Sequence, residues 1–224
     1  MFIILVLVSG GMYAYFQKKN ATKPGVSGPV LEMRLLPRQE MKKEQAALVA
    51  EPELVAGVKQ AIATRADVLK SFVSDGAIIE SVRTANEKNK TLSLNQITAL
   101  DQEWIATKAG APFSEQFVTN ETAKRLISFQ NENTAFKEIF IADANGLIVG
   151  ETDKTSDYYQ ADESWWVNTM DGGRGKVVNG AIEFDDSAQT QAISIYVPVM
   201  DPDSRQAIGV IKGVLDLGAI EKEL

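Results

Sequence analysis

The pattern of apolar and polar positions divides the chain into a helical first part and a strand-rich second part. Between residues 54 and 73, apolar residues recur every three or four positions, which predicts a helix with one buried face. A helix before it, at 37–50, is expected to end at a break or kink near Pro52, where a new helix would start.

Three more helices are predicted before the strands begin. They lie at about 78–86, 94–107 and 121–129, and each carries an apolar face suited to packing on a sheet. Ser93 and Gln96 form a capping-box pattern at the start of the second, and Thr119 or Asn120 is expected to cap the third. The residues expected to be buried on these helices are Ile78, Ile79, Val82, Ile97, Leu100, Trp104, Leu126 and Ile127.

Beyond residue 136 the period changes to that of strands. Runs at 138–142 and 147–151 flank an Asn-Gly pair at 145–146, which is typical of tight hairpin turns. Runs at 177–184, 192–200 and 207–217 supply further strands. Together, these helices and strands predict an α+β domain, in which N-terminal helices pack on a five-stranded, mostly antiparallel sheet.

The N-terminal segment 1–16 is almost wholly apolar. As a helix, residues 2–16 would span about 22 Å, against ~30 Å for the hydrocarbon core of a bilayer. Because no basic residue precedes it and Tyr15 and Phe16 close it, we predict an uncleaved membrane anchor rather than a signal segment. Residues 17–36 are predicted to be a flexible linker. The domain then covers 37–224, with its helical part ending at residue 135 and its sheet part beginning at 136.

Composition narrows the classes of function. The formal net charge is −7 without a cluster of Lys and Arg, which argues against nucleic acid as a partner. The chain has no His and no Cys, which excludes serine-histidine chemistry, cysteine nucleophiles, disulfides and the usual zinc sites. We therefore expect no enzyme activity, no cofactor and no metal site, and only carboxylate-dependent hydrolysis remains open as catalysis.

An acidic, aromatic insert, DYYQADESWW at 157–166, separates the second and third strands. We expect Asp162 to cap a short helix that carries Trp165 and Trp166 across the sheet as a lid over a ligand pocket. The alternative is that Asp162 only caps and that one of the tryptophans belongs to the core.

In the last strand, alternation puts Lys212 and Asp216 on one face. There they would hold the carboxylate and the amine of a zwitterion, although a solvent-exposed pair near the rim of the sheet is the other interpretation. The candidate ligand-binding residues are Asp157, Tyr158, Tyr159, Asp162, Trp165, Trp166, Asp185, Tyr196, Lys212 and Asp216.

Several short segments, in their order and spacing, resemble one known family. They are FIADANG at 140–146, TSDY at 155–158, DESWW at 162–166, FDDS at 184–187, PV at 198–199 and IGV at 208–210, with AN at 85–86 and LDQEW at 100–104 upstream. From roughly residue 50 to its end, the chain resembles the extracytoplasmic Cache (PDC-type, PAS-like) sensor domains of bacterial receptors.

The resemblance implies a single Cache module that binds a small ligand, such as an amino acid, amine or carboxylate, between the sheet and the insert. It also implies a single-pass inner-membrane protein with its domain in the periplasm or outside the cell, although Lys18 and Lys19 by themselves favour the opposite orientation. The signal would pass to a membrane partner protein, unless the chain is a truncated receptor, and Cache modules often pair as homodimers through their long N-terminal helix. An interaction scaffold on the same fold is the main alternative.

Overall fold

The computed structural model describes the backbone of residues 4–8, 12–19, 30–35, 38–185 and 190–224, and the side chains of residues 56–182 and 191–224. Met1–Ala56 and Gly57–Leu224 form two separate compact units. The second unit contains the residues from which the candidate site is built.

In the first unit, β1 (Ile4–Val8), β2 (Met12–Lys19) and β3 (Val30–Leu35) form an antiparallel sheet in that order. These strands differ from the helix predicted at 1–16 and from the irregular linker predicted at 17–36. Among the described residues, no helix combines the length and the apolarity needed to cross a bilayer. Membrane anchoring by this segment stays a prediction.

The helices that the structure describes follow the sequence pattern closely. They are α1 (Arg38–Val73), α2 (Gly76–Asn89), α3 (Leu94–Ala106), α4 (Pro112–Thr119), α5 (Glu121–Glu132), α6 (Ser164–Met170) and α7 (Leu217–Glu221). The capping box of Ser93 and Gln96 is present at α3, and Asn120 caps α5 by accepting a hydrogen bond from the Ala123 N–H at 2.8 Å. The sequence did not predict α4, whose N-cap Ala111 makes no side-chain bond.

The break predicted near Pro52 is wrong, because α1 continues through that residue, while a kink there stays a prediction. A proline inside a helix removes one backbone hydrogen bond. The residues around it, rich in Ala, Glu, Leu and Lys, are strong helix formers that favour continuing the helix on both sides.

The strands of the second unit are β4 (Phe136–Asp143), β5 (Ile148–Glu151), β6 (Val178–Asp185), β7 (Thr190–Met200) and β8 (Ala207–Asp216). They form one sheet in the order β5-β4-β8-β7-β6, and every neighbouring pair is antiparallel. This is the PAS-like, α+β architecture that the sequence predicts. Gly146 has a φ of +79° in the turn between β4 and β5, as the Asn-Gly pair indicates.

One face of the sheet packs on the helices, and the main core lies between them. Leu69 of α1 and Val82 of α2 are fully buried there with Ile211 and Leu215 of β8. Gly213 leaves room in this core for the Phe136 ring of β4 and for Leu69 of α1, since a Cβ there would lie 2.6 Å from the ring and 3.3 Å from Leu69 Cδ2. The opposite face of the sheet carries α6 and the insert.

Candidate functional site

A row of directly opposite residues crosses the whole sheet. In the strand registers, Glu151 faces Phe140, Phe140 faces Lys212, Lys212 faces Tyr196, and Tyr196 faces Val178. Because directly opposite residues in paired strands point to the same face, all five side chains lie on the face that carries α6. We call these five residues the cross-strand row, and three of them, Val178, Tyr196 and Lys212, line the candidate site.

A cleft of ≈ 480 Å³ lies between α6, the insert and strands β6 to β8. A volume of this size lies within the range of small-molecule pockets. The cleft is lined by Ser156, Asp157, Gln160, Glu163, Ser164, Trp165, Asn168, Val178, Asn179, Gly180, Ala181, Ser194, Tyr196 and Lys212.

Lys212 supplies the positive charge of the cleft. Its ammonium nitrogen lies 5.4 Å from the centre of the Phe140 ring and 5.6 Å from that of Trp165, within the range of cation–π contacts. Among the described residues, no carboxylate forms an ion pair with it. A half-buried ammonium held by rings alone is suited to an anionic group of a ligand.

The aromatic wall is made by Trp165 of α6 and Tyr196 of β7. Their rings are stacked, with centroids 4.7 Å apart and 9° between the planes. The Phe140 ring meets Trp165 edge-on, with the centroids 6.1 Å apart. The short helix predicted from the insert is confirmed as α6, and Trp165 is the tryptophan that lines the cleft, while its role as a lid stays a prediction.

The acidic side of the cleft is made by Asp157 and Glu163. Asp157 Oδ1 accepts hydrogen bonds from Ser156 Oγ at 2.8 Å and from Gln160 Nε2 at 3.0 Å, which fix the carboxylate in place. Its Oδ2 has no partner among the described residues. Thr155 Oγ1 also donates to the backbone carbonyl of Asp157 at 2.7 Å, so this stretch of the insert is tightly bonded.

Tyr158 and Tyr159 lie outside the cleft. Asp101 of α3 accepts hydrogen bonds from both of their backbone N–H groups, at 2.8 and 3.0 Å. This turns the ring of Tyr158 into an aromatic cluster with Trp104 and Phe117, and its burial raises the pKa of the phenol. Tyr158 is thus a core residue in the part of the chain described.

Asp162 does not cap α6, contrary to the sequence expectation. The N-cap is Glu163, without a side-chain bond, and Asp162 is exposed outside the cleft. Trp166 points away from the cleft and packs in an apolar cluster with Met170 and Val210. The insert therefore places one tryptophan in the cleft wall and the other in the core.

Asp216 lies on the same face as Lys212 but outside the cleft. Its Oδ1 accepts a hydrogen bond from the Ala219 N–H at 3.2 Å as the N-cap of α7, and its Oδ2 lies 3.7 Å from Lys137 Nζ. The zwitterion pair of Lys212 and Asp216 that the sequence suggests is not brought together. Asp185 ends β6, and its side chain lies outside the described residues.

Sequence reasoning missed several polar residues of the cleft. Asn168 follows Ser164 by one helical turn on α6, so the helix period could have found it. Asn179 on β6 is next to Val178 of the cross-strand row, and Gln160 lies inside the insert itself. Within the described parts of the chain, no group of three or more acidic side chains gathers as a metal site.

No protein-family model and no curated protein matches the sequence. Among solved structures, the chain is similar to the extracellular domain of vpHK1S-Z8, a protein assigned as a histidine kinase, with 12% identity and a TM-score of 0.49. That match covers 84% of this chain and 64% of the other.

Two further matches are similar in kind. The sensor domain of the V. cholerae histidine kinase DctB has 14% identity and a TM-score of 0.46, with 80% of this chain and 60% of that chain covered. The ligand-binding domain of the Pseudomonas aeruginosa PAO1 amino acid chemoreceptor PctC, in complex with GABA, has 12% identity and a TM-score of 0.37, with 69% and 61% covered. This chain thus spans less than two thirds of each of these three structures.

The matched regions are an extracellular domain, a sensor domain and a ligand-binding domain of those proteins. At these identities the likeness is one of fold. The solved structures that the chain resembles are sensor domains of histidine kinases and chemoreceptors, the class to which the Cache resemblance points.

Proposed function

We propose that the unit Gly57–Leu224 is a sensory domain that binds a small molecule with a carboxylate and an amine in the cleft beneath α6. The observation that carries the proposal is Lys212, a half-buried ammonium in the cleft with aromatic contacts and no carboxylate partner among the described residues. A ligand carboxylate placed at this nitrogen gains a charge-assisted hydrogen bond in a site that is partly shielded from water.

The other end of such a ligand would meet the acidic side of the cleft. The amine would bind Oδ2 of Asp157, and Glu163 is a second carboxylate at the rim of the cleft. These acids take the role that the sequence suggested for Asp216. The stacked rings of Trp165 and Tyr196 supply the apolar wall against which the body of an amino acid or related molecule packs.

In this proposal the domain lies outside the cytoplasm, the segment 1–16 anchors the chain in the inner membrane, and a membrane partner protein or a second copy receives the signal. Helix α1 extends from the first unit into the second and is the element through which such a signal would leave.

A thermal-shift screen of the full chain tests the proposal. The probes are the amino acids, acetate and succinate, primary alkylamines, and calcium and magnesium ions. A ligand at ~100 times its Kd stabilises the folded state by about 2.7 kcal/mol, which gives a clear, saturable shift. We expect at least one compound carrying a carboxylate to shift the unfolding temperature.

The matched variants are Lys212→Met and Lys137→Met. Both remove one lysine of the same sheet, but Lys137 lies outside the cleft, with its side chain 48% exposed. We expect Lys212→Met to lose the shift and Lys137→Met to keep it. If no carboxylate shifts the protein, or if Lys212→Met binds as the unmodified chain does, the proposal is wrong, and an interaction scaffold becomes the better hypothesis.

A further inference from the structure

The cross-strand row ends at a buried carboxylic acid. Glu151, the last residue of β5, is 0% exposed. Its Oε2 accepts one hydrogen bond, from the Thr155 N–H at 3.0 Å, and its Oε1 has no partner among the described residues. A buried polar oxygen without a partner is uncommon in native structures and calls for an explanation.

Asp143 shows what a satisfied buried carboxylate looks like in this fold. It is also 0% exposed, yet its Oδ1 accepts from the N–H groups of Asn145 and Leu147 at 2.8 and 2.9 Å, and its Oδ2 accepts from Asn89 Nδ2 at 2.7 Å. Among the hydrogen bonds described, Glu151 accepts one, from the Thr155 N–H. The site of Glu151 is therefore built for a neutral carboxylic acid better than for a carboxylate.

The charged groups around Glu151 do not compensate its burial. Glu138 of β4 is close enough for its like charge to act on Glu151, and Lys154 lies in the segment that follows β5. Burial raises the pKa of the Glu151 carboxyl to about 7. The backbone N–H and the hydroxyl of Thr155 oppose the rise, as does the charge of Lys154, and the charge of Glu138 adds to it. The phenol of Tyr158 is buried close enough for the Glu151 charge to raise its pKa as well.

Helix α3 adds one more acid near the segment 152–157, the carboxylate of Asp101, which is already bonded to two backbone N–H groups. Across the sheet, Lys212 lies two strands away in the cross-strand row, with the Phe140 ring between. At 4.7–4.9 Å per strand, this spacing is about 10 Å. The cleft cation and the buried acid therefore belong to one row without forming an ion pair.

A short chain of hydrogen bonds joins Glu151 to the cleft. The Glu151 carboxylate accepts a hydrogen bond from the backbone N–H of Thr155, and Thr155 Oγ1 donates one to the carbonyl of Asp157 at 2.7 Å. The Thr155 carbonyl accepts from Trp104 Nε1 at 3.0 Å, which ties the same residue to α3. These bonds connect Glu151 through Thr155 to Asp157, which lines the cleft.

We propose that Glu151 is a positioning residue that couples proton binding to the placement of Asp157 in the cleft. A neutral Glu151 costs far less to bury than a charged one, so the segment 152–157 stays closed over it. When the proton leaves to solvent, the buried charge needs more donors, so the segment opens to admit water to Oε1 and carries Asp157 away from its place. The consequence that ligand affinity falls as pH rises rests on the proposed function, whereas the movement itself is a property of the ligand-free protein.

The composition of the chain gives this proposal a clean test. Because the sequence has no His and no Cys, few groups titrate near pH 7, and a transition there points to a shifted carboxyl. The experiment follows two ¹⁵N–¹H signals of the ligand-free full chain between pH 5 and pH 9. The indole N–H of Trp104 reports the 3.0 Å hydrogen bond to the Thr155 carbonyl. The side-chain amide of Gln160 reports its two hydrogen bonds to Asp157, each 3.0 Å long.

We expect both signals to titrate together with a midpoint near pH 7 in the unmodified chain. In Glu151→Gln, which keeps the shape of the neutral acid, the chemical shifts of both signals should not change with pH and should match those of the closed segment. The matched control is Glu103→Gln, on an exposed position of α3, which should titrate as the unmodified chain does. Two flat signals in the unmodified chain, or a transition that persists in Glu151→Gln, would overturn the proposal.

A second readout covers the case in which Glu151→Gln does not fold. The side-chain carboxyl ¹³C signal of Glu151 in the unmodified chain gives its midpoint directly, and a value below about 5.5, close to an ordinary Glu, overturns the proposal. Neither readout uses a ligand. A failed ligand screen would therefore count against the proposed function and leave this result standing, and the reverse also holds.

Discussion

The indole ring of Trp165 lies flat on the phenol ring of Tyr196, with 4.7 Å between centroids and 9° between planes. Trp165 belongs to α6 and Tyr196 to β7, a strand in the interior of the sheet. The pair therefore does two things at once, since it holds α6 on the sheet and forms the aromatic wall beside Lys212.

A double-mutant cycle measures this contact. We expect Trp165→Leu and Tyr196→Leu to couple by about 0.5–1.5 kcal/mol in the free energy of unfolding, because stacked rings contribute this much beyond their buried area. Urea unfolding of the two single variants and the double variant gives the coupling. Val167→Ala, at a position of α6 that is 54% exposed, combined with Tyr196→Leu is the control and should be additive. A coupling near zero for the ring pair contradicts the prediction.

Two glycines of the sheet should respond in opposite ways to alanine. At Gly213 a Cβ would lie 2.6 and 2.8 Å from ring carbons of Phe136, so we expect Gly213→Ala to destabilise the fold by about 1–3 kcal/mol. At Gly180 the nearest atom, Tyr196 Oη, would be 3.4 Å away, so the fold should tolerate alanine. Because Gly180 lines the cleft, its variant should weaken ligand binding instead. Urea unfolding and the thermal-shift screen separate the two effects, and equal losses of stability would count against this account.

Local signals in the sequence were sufficient for most of the fold. The capping pattern of Ser93 and Gln96 and the Asn-Gly pair at 145–146 act within a few residues, so they are readable without knowledge of the tertiary structure. Helix α4 was missed because its N-cap, Ala111, has no capping side chain, which leaves Pro112 at its first position as its one local start signal. The two-residue alternation of β8 correctly put Lys212 on the face of the cleft.

The candidate site was harder to predict because it depends on contacts between distant parts of the chain. Asp216 shares a face with Lys212, but four residues of strand separate them by about 13 Å, and the cleft ends before it. Tyr158 turns into the core because Asp101, far away in the sequence, binds its backbone N–H. Neither the length of the cleft nor that bond can be read from a local pattern.

The ion pair of Arg83 and Asp201 should stabilise the protein in a pH-dependent way. Arg83 Nε of α2 donates to Asp201 Oδ2 at 2.8 Å, on the turn between β7 and β8. This bond, with the N–H of Ser204, holds the pKa of Asp201 well below its usual value. A lowered pKa means that the stabilisation is present above the unfolded pKa of ~3.9 and is lost as pH falls through the folded value.

We therefore expect Asp201→Asn to lower the unfolding temperature by the same amount from pH 5 to pH 8, with a smaller difference near pH 3. The control is Asp203→Asn on the same turn, where the carboxylate is 82% exposed although it also accepts from Arg83. Its effect should be smaller, since exposed pairs contribute little. An Asp201→Asn effect that does not shrink in acid would show that the loss comes from the turn rather than from the ion pair.

Glu151 should have the opposite influence on stability. Its carboxyl has a pKa of about 7 in the fold against 4.5 as the ordinary value, so the folded state binds its proton more tightly than the unfolded state. The contribution of a raised carboxyl pKa is full below the unfolded value and is lost as pH rises to the folded one. The fold therefore loses up to about 3 kcal/mol between pH 4.5 and pH 7, and less where the segment 152–157 opens locally.

Glu151→Gln has no such proton to lose. The free energy of unfolding of this variant, measured in urea at a series of pH values, should therefore rise across this window relative to that of the unmodified chain. Glu103→Gln should follow the unmodified chain, and a difference between Glu151→Gln and the unmodified chain that stays constant with pH would mean that Glu151 is ionised in the fold at neutral pH.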